Sequence, residues 1–330
     1  MTEQDKPQPT EIIPLAPLKT PVLFLVFNRP DTTEQVFEAI RKAKPARLYV
    51  AADGPRPGRK GEIEKVAKAR QIATAVDWSC KVKTLFRDKN LGCKYAVSGA
   101  ITWFFENEEQ GIILEDDCLP HPDFFTFCES LLDLYAEDER VAVITGNNFQ
   151  NGHKRGNASY YFSKYNHCWG WATWRRAWQN YQGDLPFWPE WKHSNDWMKK
   201  TPDPVERHYW KNIFEMVRDN KIDSWAYPWT ASVWYQGGLS ATPCVNLVSN
   251  IGFSVDSTHT KSKDSPLAAM TTRPLGDLTH PATIEQNVTA DCYAFDNAFG
   301  GRYLRFPQSL LRLPLRILGA FYRWLKQIVV

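Results

Sequence analysis

The sequence predicts an α/β domain built on a parallel sheet with crossover helices, and three observations lead there. Short apolar runs alternate with amphipathic stretches from Pro21 to about Gly146. The residues that end those runs are polar and charged rather than apolar. The 330-residue chain, 43% hydrophobic and 23% charged, is long enough to bury a large core and too apolar to be disordered.

Taken in order, the expected strands are Val22 to Phe27, Leu48 to Ala52, Val82 to Phe86, Gly111 to Leu114 and Val141 to Ile144. Helices are expected between them, over Asp31 to Ala43, Glu62 to Val76, Gly92 to Glu106 and Pro122 to Leu134. Strand followed by helix, repeated, is the pattern of a parallel sheet, because parallel neighbours need a crossover between them. Asp31 with Glu34 three residues on has capping-box spacing, and Val36, Phe37 and Ile40 supply one apolar face. Beyond Gly146 the alternation gives way to an aromatic and polar half running to about Phe253, expected to complete the domain and build an acceptor pocket. A loop-rich stretch follows.

Bulk properties exclude several functions. A formal net charge of +3 gives no support to a nucleic-acid partner. Seven cysteines, odd in number and without Cys-x-x-Cys spacing, disfavour a disulfide framework or a structural zinc site and suit a reducing compartment. Residues 1–19 are punctuated by prolines and lack an uninterrupted apolar core, so they read as a flexible tail rather than a cleaved signal. Most of the 14 tryptophans fall between Trp169 and Trp234, and core packing is the expected role for most of them. Trp171, Trp174 and Trp178 stand at helical spacing, with Trp174 and Trp178 assigned to the core.

In open α/β sheets, ligands bind outside the carboxyl ends of the strands. The residues found there are Asn28-Arg29, Asp53-Gly54 and Glu115-Asp116-Asp117. Three adjacent carboxylates at the end of a buried strand repel one another, and a divalent cation is the natural compensation. Hard oxygen ligands suit Mg²⁺ or Mn²⁺, which takes one or two protein carboxylates and completes its shell with water and substrate phosphates. A guanidinium at Arg29 suits a phosphate or a base; a carboxylate at Asp53 suits a base N–H or a ribose hydroxyl, or equally a turn before Gly54-Pro55.

These motifs resemble the N-acetylglucosaminyltransferase I family and its bacterial glycosyltransferase-like relatives. The resemblance rests on Phe27-Asn28-Arg29, Asp53, Ile113 to Pro120 with Glu115-Asp116-Asp117, Pro122-Asp123-Phe124-Phe125, Cys168 to Trp174 and Asn246 to Phe253, and it covers roughly residues 20–260. It implies a GT-A fold, a Rossmann-like mixed sheet with flanking helices, in which Asp117 coordinates Mn²⁺ on a diphosphate. Glu115 and Asp116 then lie against the nucleotide sugar, Arg29 and Asp53 hold the nucleotide, and Trp169 and Gly170 lie near the donor sugar or the acceptor. The implied activity is metal-dependent and inverting, from a nucleotide-sugar donor, UDP-linked by preference, to a glycan or lipid-linked acceptor. Inversion requires a base. Asp223, in Ile222 to Trp229, is the favoured candidate and Asp196, in Asn195 to Lys200, the second; the relatives carry an aspartate where this chain has Ala226. Ala226 is the feature behind the alternative, a catalytically silent nucleotide-sugar-binding or membrane-associated module of the same fold, and the alternative for Asp223 itself is a helix N-cap. A sugar-nucleotide pyrophosphorylase would open with a glycine-rich phosphate loop, and Phe27-Asn28-Arg29-Pro30 has none.

His259 is a candidate for a further metal or diphosphate contact. The domain is expected over residues 20–260, with a loop-rich extension over 261–309 and a basic amphipathic helix over 310–330. There Arg312, Arg316, Arg323 and Lys326 share one helical sector, which suits attachment to an anionic membrane surface from a cytoplasmic location rather than insertion.

Overall fold

The computed structural model describes residues 17–253 and 267–308. His259 and the basic C-terminal segment lie outside the described residues. The first half runs β1 (Val22–Val26), α1 (Pro30–Ala43), β2 (Arg47–Ala52), α2 (Glu62–Ala73), β3 (Lys81–Phe86), α3 (Gly92–Asn107), β4 (Gln110–Glu115), β5 (Cys118–Pro120), α4 (Pro122–Leu134) and β6 (Val141–Thr145). The second half runs β7 (Tyr160–Ser163), β8 (Trp171–Trp174), α5 (Arg175–Trp178), α6 (Trp188–Trp191), α7 (Asn195–Lys200), α8 (Pro204–Arg218), α9 (Ala226–Tyr235), β9 (Leu239–Pro243), β10 (Val248–Asn250) and α10 (Val288–Asn297).

The central sheet has eight strands in the order β3-β2-β1-β4-β8-β6-β9-β7. The quartet β3, β2, β1 and β4 is parallel, as the strand–helix alternation demands. β8 enters antiparallel to both β4 and β6, and β7 antiparallel to β9, so the whole sheet is mixed. The change follows from the connections: no helix separates β6, β7 and β8, and without a crossover the chain can reverse.

Helices cover both faces, which is why β1 is buried at every position. Val22, Phe24 and Val26 face a core shared with Val36, Phe37 and Ile40 of α1 and Phe124, Phe127 and Leu131 of α4. Leu23 and Leu25 face the opposite core, with Ile101 and Phe104 of α3. That second core also takes Trp171, Trp188, Trp197, Trp210, Trp229 and Trp234, all at most 1% exposed. Aromatic side chains of this size remove roughly 150–250 Å² each from water.

Two local expectations are corrected. Trp171 and Trp174 lie on strand β8, not on a helix, and an odd separation on a strand sends side chains to opposite faces, so Trp174 joins the first core and Trp171 the second. The N-cap position of α1 is Arg29, without a side-chain hydrogen bond, rather than Asp31. Pro30 at the first helical position has its backbone angle preset, so the helix begins one residue earlier and Asp31 sits inside its first turn.

Residues after β10 return to the same body. Asn287 N–H donates to the Phe162 carbonyl of β7 at 2.7 Å, and Asp291 of α10 accepts from Ser163 Oγ at 2.5 Å and from the Lys164 N–H at 3.2 Å. Among the described residues, no helix is long and apolar enough to cross a membrane.

Candidate active site

Because β1, β2 and β4 are parallel neighbours, the loops that leave their carboxyl ends meet. Arg29, Asp53, Glu115, Asp116 and Asp117 all line one cavity of about 800 Å³. Its other walls come from the start of α3, the Tyr165 to Trp169 segment, α8, the start of α9, and Ala298-Phe299.

The acidic triplet divides into three different environments. Asp116 is 2% exposed and accepts from Arg29 Nη2 at 2.5 Å and from the Phe27 N–H at 3.0 Å, so both of its oxygens are engaged by the protein. It sets the Arg29 guanidinium in place. Asp117 Oδ2 accepts from Arg29 Nη1 at 2.6 Å, and its main-chain carbonyl accepts the Ile251 N–H at 2.8 Å. Glu115 is partly open to the cavity, and burial first, then the nearby Asp117 charge, push its carboxyl up to about 8 against the opposing pull of Arg29. Burial also works against the Arg29 charge, yet Asp116 and Asp117 together keep that guanidinium firmly protonated.

Gly252 closes over this pair. A Cβ on it would stand 2.1 Å from Asp117 Oδ2 and 2.6 Å from Arg29 Nη1, so only glycine lets the backbone come this close. Among the described residues, no group of three or more His, Cys, Asp or Glu side chains is arranged to hold a metal ion. The donors present suit the other mode of Mg²⁺ and Mn²⁺, in which one carboxylate anchors an ion that takes its remaining oxygens from phosphate and water. Asp117 is buried, with Oδ2 paired to Arg29 and Oδ1 accepting from the Cys118 thiol at 3.4 Å.

Two further candidates share one structural task. Helix α3 has no cap of its own, and its first N–H groups are satisfied from elsewhere in the chain. Asp53 accepts from the N–H groups of Gly54, Leu91 and Gly92 at 2.9 to 3.2 Å, and burial raises its carboxyl from the ordinary range. Asp223 accepts from the Cys93 N–H at 3.1 Å and the Lys94 N–H at 2.8 Å while remaining exposed at the cavity wall. The cap thus spans to a helix distant in sequence, not to the helix that follows Asp223.

Asp196 is not brought to the cavity. It stands on α7 with its side chain 80% exposed, 3.6 Å from Lys199 Nζ, because the polar face of that short helix points to solvent and Trp197 takes the buried side. Trp169 lines the cavity, its N–H held by Asn147 Oδ1 at 3.1 Å and its ring edge-on to Phe149 and Phe253. Gly170 lies just behind it at φ +73°, where a Cβ would meet Val248 Cγ2 at 2.7 Å. Its part is to let the chain turn against β10.

Sequence reasoning missed several wall residues. Arg87 follows β3 as Arg29 follows β1, and the same strand-end rule finds it. Asn166, His167, Tyr209, Tyr227 and Phe299 come from loops and helices with no local pattern that marks them.

No family model matches the chain, and no curated protein does. Two solved structures similar to it are the crystal structure of HddC from Yersinia pseudotuberculosis and a UDP-glucose pyrophosphorylase complexed with UDP-glucose. The first is 12% identical with a TM-score of 0.31, covering 52% of this chain and 86% of its own. The second is 10% identical with a TM-score of 0.33, covering 68% of this chain and 90% of its own.

Proposed function

We propose that this protein is an inverting glycosyltransferase that moves a sugar from a nucleotide-diphosphate donor, UDP-linked by preference, to a hydroxyl of a glycan or lipid-linked acceptor. The observation that carries the reading is the junction of Arg29 with Asp116 and Asp117 at the strand ends of an 800 Å³ cavity that Arg56 and Arg87 also line. Guanidinium groups suit a diphosphate, and a neighbouring carboxylate suits the cation that accompanies one. A bound Mn²⁺ or Mg²⁺ at Asp117 supplies charge neutralisation for the departing diphosphate.

The chain's own residues provide the rest. The acceptor oxygen forms its bond to the anomeric carbon from the face opposite the diphosphate, the bond from that carbon to the diphosphate oxygen breaks, and the acceptor's proton passes to a base. Asp223 is the proposed base: its two oxygens are fixed in place by the Cys93 and Lys94 N–H groups, and each keeps a further lone pair. Ala226, the first residue of α9, lines the cavity and brings no carboxylate of its own. Peripheral attachment to an anionic membrane through residues 310–330 belongs to the same proposal and rests on their sequence.

The test is a titration of the purified protein with UDP, GDP and CMP, with and without Mn²⁺, repeated on Asp117→Ala. Metal-dependent binding of UDP that disappears in the variant supports the donor site. Absence of nucleotide binding under every condition overturns it, and nucleotide binding without turnover of any donor favours a silent binding module.

A further inference from the structure

Helix α3 begins with a buried cation that the reaction above does not use. Lys94 is 4% exposed, and its ammonium donates to Asp184 Oδ1 at 2.8 Å and to Asn220 Oδ1 at 3.2 Å. It also stands 5.3 Å from the centre of the Tyr95 ring. The Asp184 side chain is 79% exposed, so this pair keeps its cation inside the protein and its anion in water.

Lys94 meets the connection between α8 and α9, residues 219–225, at two points. Its side chain holds Asn220, which the backbone places at φ +54°, and its main-chain N–H holds Asp223 Oδ1 at 2.8 Å. A Cβ on Gly92 would stand 3.0 Å from Asp223 Oδ2, so the start of α3 also bounds that carboxylate sterically. Asp223, Ser224 and Trp225 of the connection line the cavity. The main-chain hydrogen bonds that return from the connection to α8 end at Lys221, whose N–H donates to the Met216 carbonyl at 2.9 Å. What places Asp223 beyond that point is its contact with α3.

Burying a charge is costly, and an apolar side chain of similar length, such as methionine, fills the same space without that cost. What the ammonium adds is direction, since its donors join two loops at one atom. We propose that Lys94 is a positioning residue, whose ammonium holds the 219–225 connection by Asn220 and so fixes the Asp223 carboxylate at the cavity wall. Its effect on turnover rests on the transferase reading above; the tether itself does not. Proton transfer depends on geometry first, and a displacement of about 1 Å in a catalytic group lowers a rate by about a hundredfold.

The experiment uses the full chain as wild type, Lys94→Met, Asn220→Gly and Asp184→Ala. Asn220→Gly cuts the tether alone, because glycine takes a positive φ without strain, and it answers the question even where Lys94→Met does not fold. The readouts are amide hydrogen exchange at Cys93 and Lys94, and UDP release from UDP-glucose and UDP-N-acetylglucosamine with Mn²⁺. In Lys94→Met and Asn220→Gly, those two amides are expected to exchange at least about tenfold faster, the effect of one lost polar pairing, with the amides of β1 unchanged. Turnover is expected to fall about ten- to a hundredfold in kcat, with the donor KM within about twofold of the wild type. Asp184→Ala, which cuts the ion pair and leaves the tether, keeps kcat within about twofold. Faster exchange in the variants of a protein that releases no UDP keeps the tether and defeats the transferase reading. Unchanged exchange in Asn220→Gly, an unchanged kcat in that variant of an active enzyme, or an equal loss of kcat in Asp184→Ala overturns the proposal.

Discussion

Arg29 Nη1 lies 2.6 Å from Asp117 Oδ2, so the loop leaving β1 neutralises a carboxylate in the turn leaving β4 before any ligand arrives. The same guanidinium holds the more deeply buried Asp116, and the two carboxylates depend on it. Replacing Arg29 with Ala leaves Asp116 charged or protonated without its partner. Breaking a buried ion pair costs about 3–5 kcal/mol, and the 30% exposure of the Arg29 side chain places this case toward the lower end. Urea unfolding of the variant reads the loss, and an unchanged midpoint contradicts it.

Gly252→Ala tests the closeness of the loop over this pair. A Cβ 2.1 Å from Asp117 Oδ2 forces the loop or the carboxylate to move. Metal-dependent UDP affinity is expected to fall by at least about tenfold, the consequence of roughly 1.4 kcal/mol of misplacement. An affinity equal to the wild type shows that Asp117 has no part in holding the donor.

Asp223 has two separable roles. Asp223→Ala removes the cap of α3 and is expected to cost about 1 kcal/mol in thermal or chemical unfolding. Asp223→Asn keeps one acceptor oxygen for the two N–H groups, which now bond different oxygens, and cannot take a proton. Turnover lost in both variants, with the larger loss of stability in Asp223→Ala, is the expected pattern. Turnover that follows stability reduces Asp223 to a cap.

His167 couples stability to pH. Burial pushes its imidazole down to about 3 from an ordinary value of 6.5, so the folded protein resists a proton that the unfolded chain accepts. The stabilisation is complete above pH 6.5 and is lost as pH falls from there toward 3, at up to about 1.4 kcal/mol per pH unit. Replacing His167 with Phe should flatten the unfolding free energy across that window. An equally steep profile in the variant assigns the acid sensitivity elsewhere.

Asp196→Ala is expected to leave both turnover and stability in place, with a change within about 0.5 kcal/mol, as for other exposed residues away from caps and cores. A large loss of kcat would return Asp196 to the site.

The sequence by itself determined β1 to β4, β6 and α1 to α4 of the first half but not the short β5, because period-two and period-3.6 burial patterns are written in neighbouring residues. The start of α4 at Pro122 and its end at Leu134 are read directly, and β2 and β3 are each displaced by a single residue at their start. Parallel order among β1, β2 and β4 then places Arg29, Asp53 and the acidic triplet together, since strand ends converge whatever the details of packing. What only the tertiary structure decided lies in long-range pairing. That Asp223 caps α3, 130 residues earlier, that Asp196 faces solvent, that β7 and β8 run backwards, and that Asn166 stands unpaired in the cavity wall all depend on which segments meet in space. Local periodicity reports which face of an element is apolar, but a loop side chain has no periodicity, and its partner is set by the packing of elements distant in the chain.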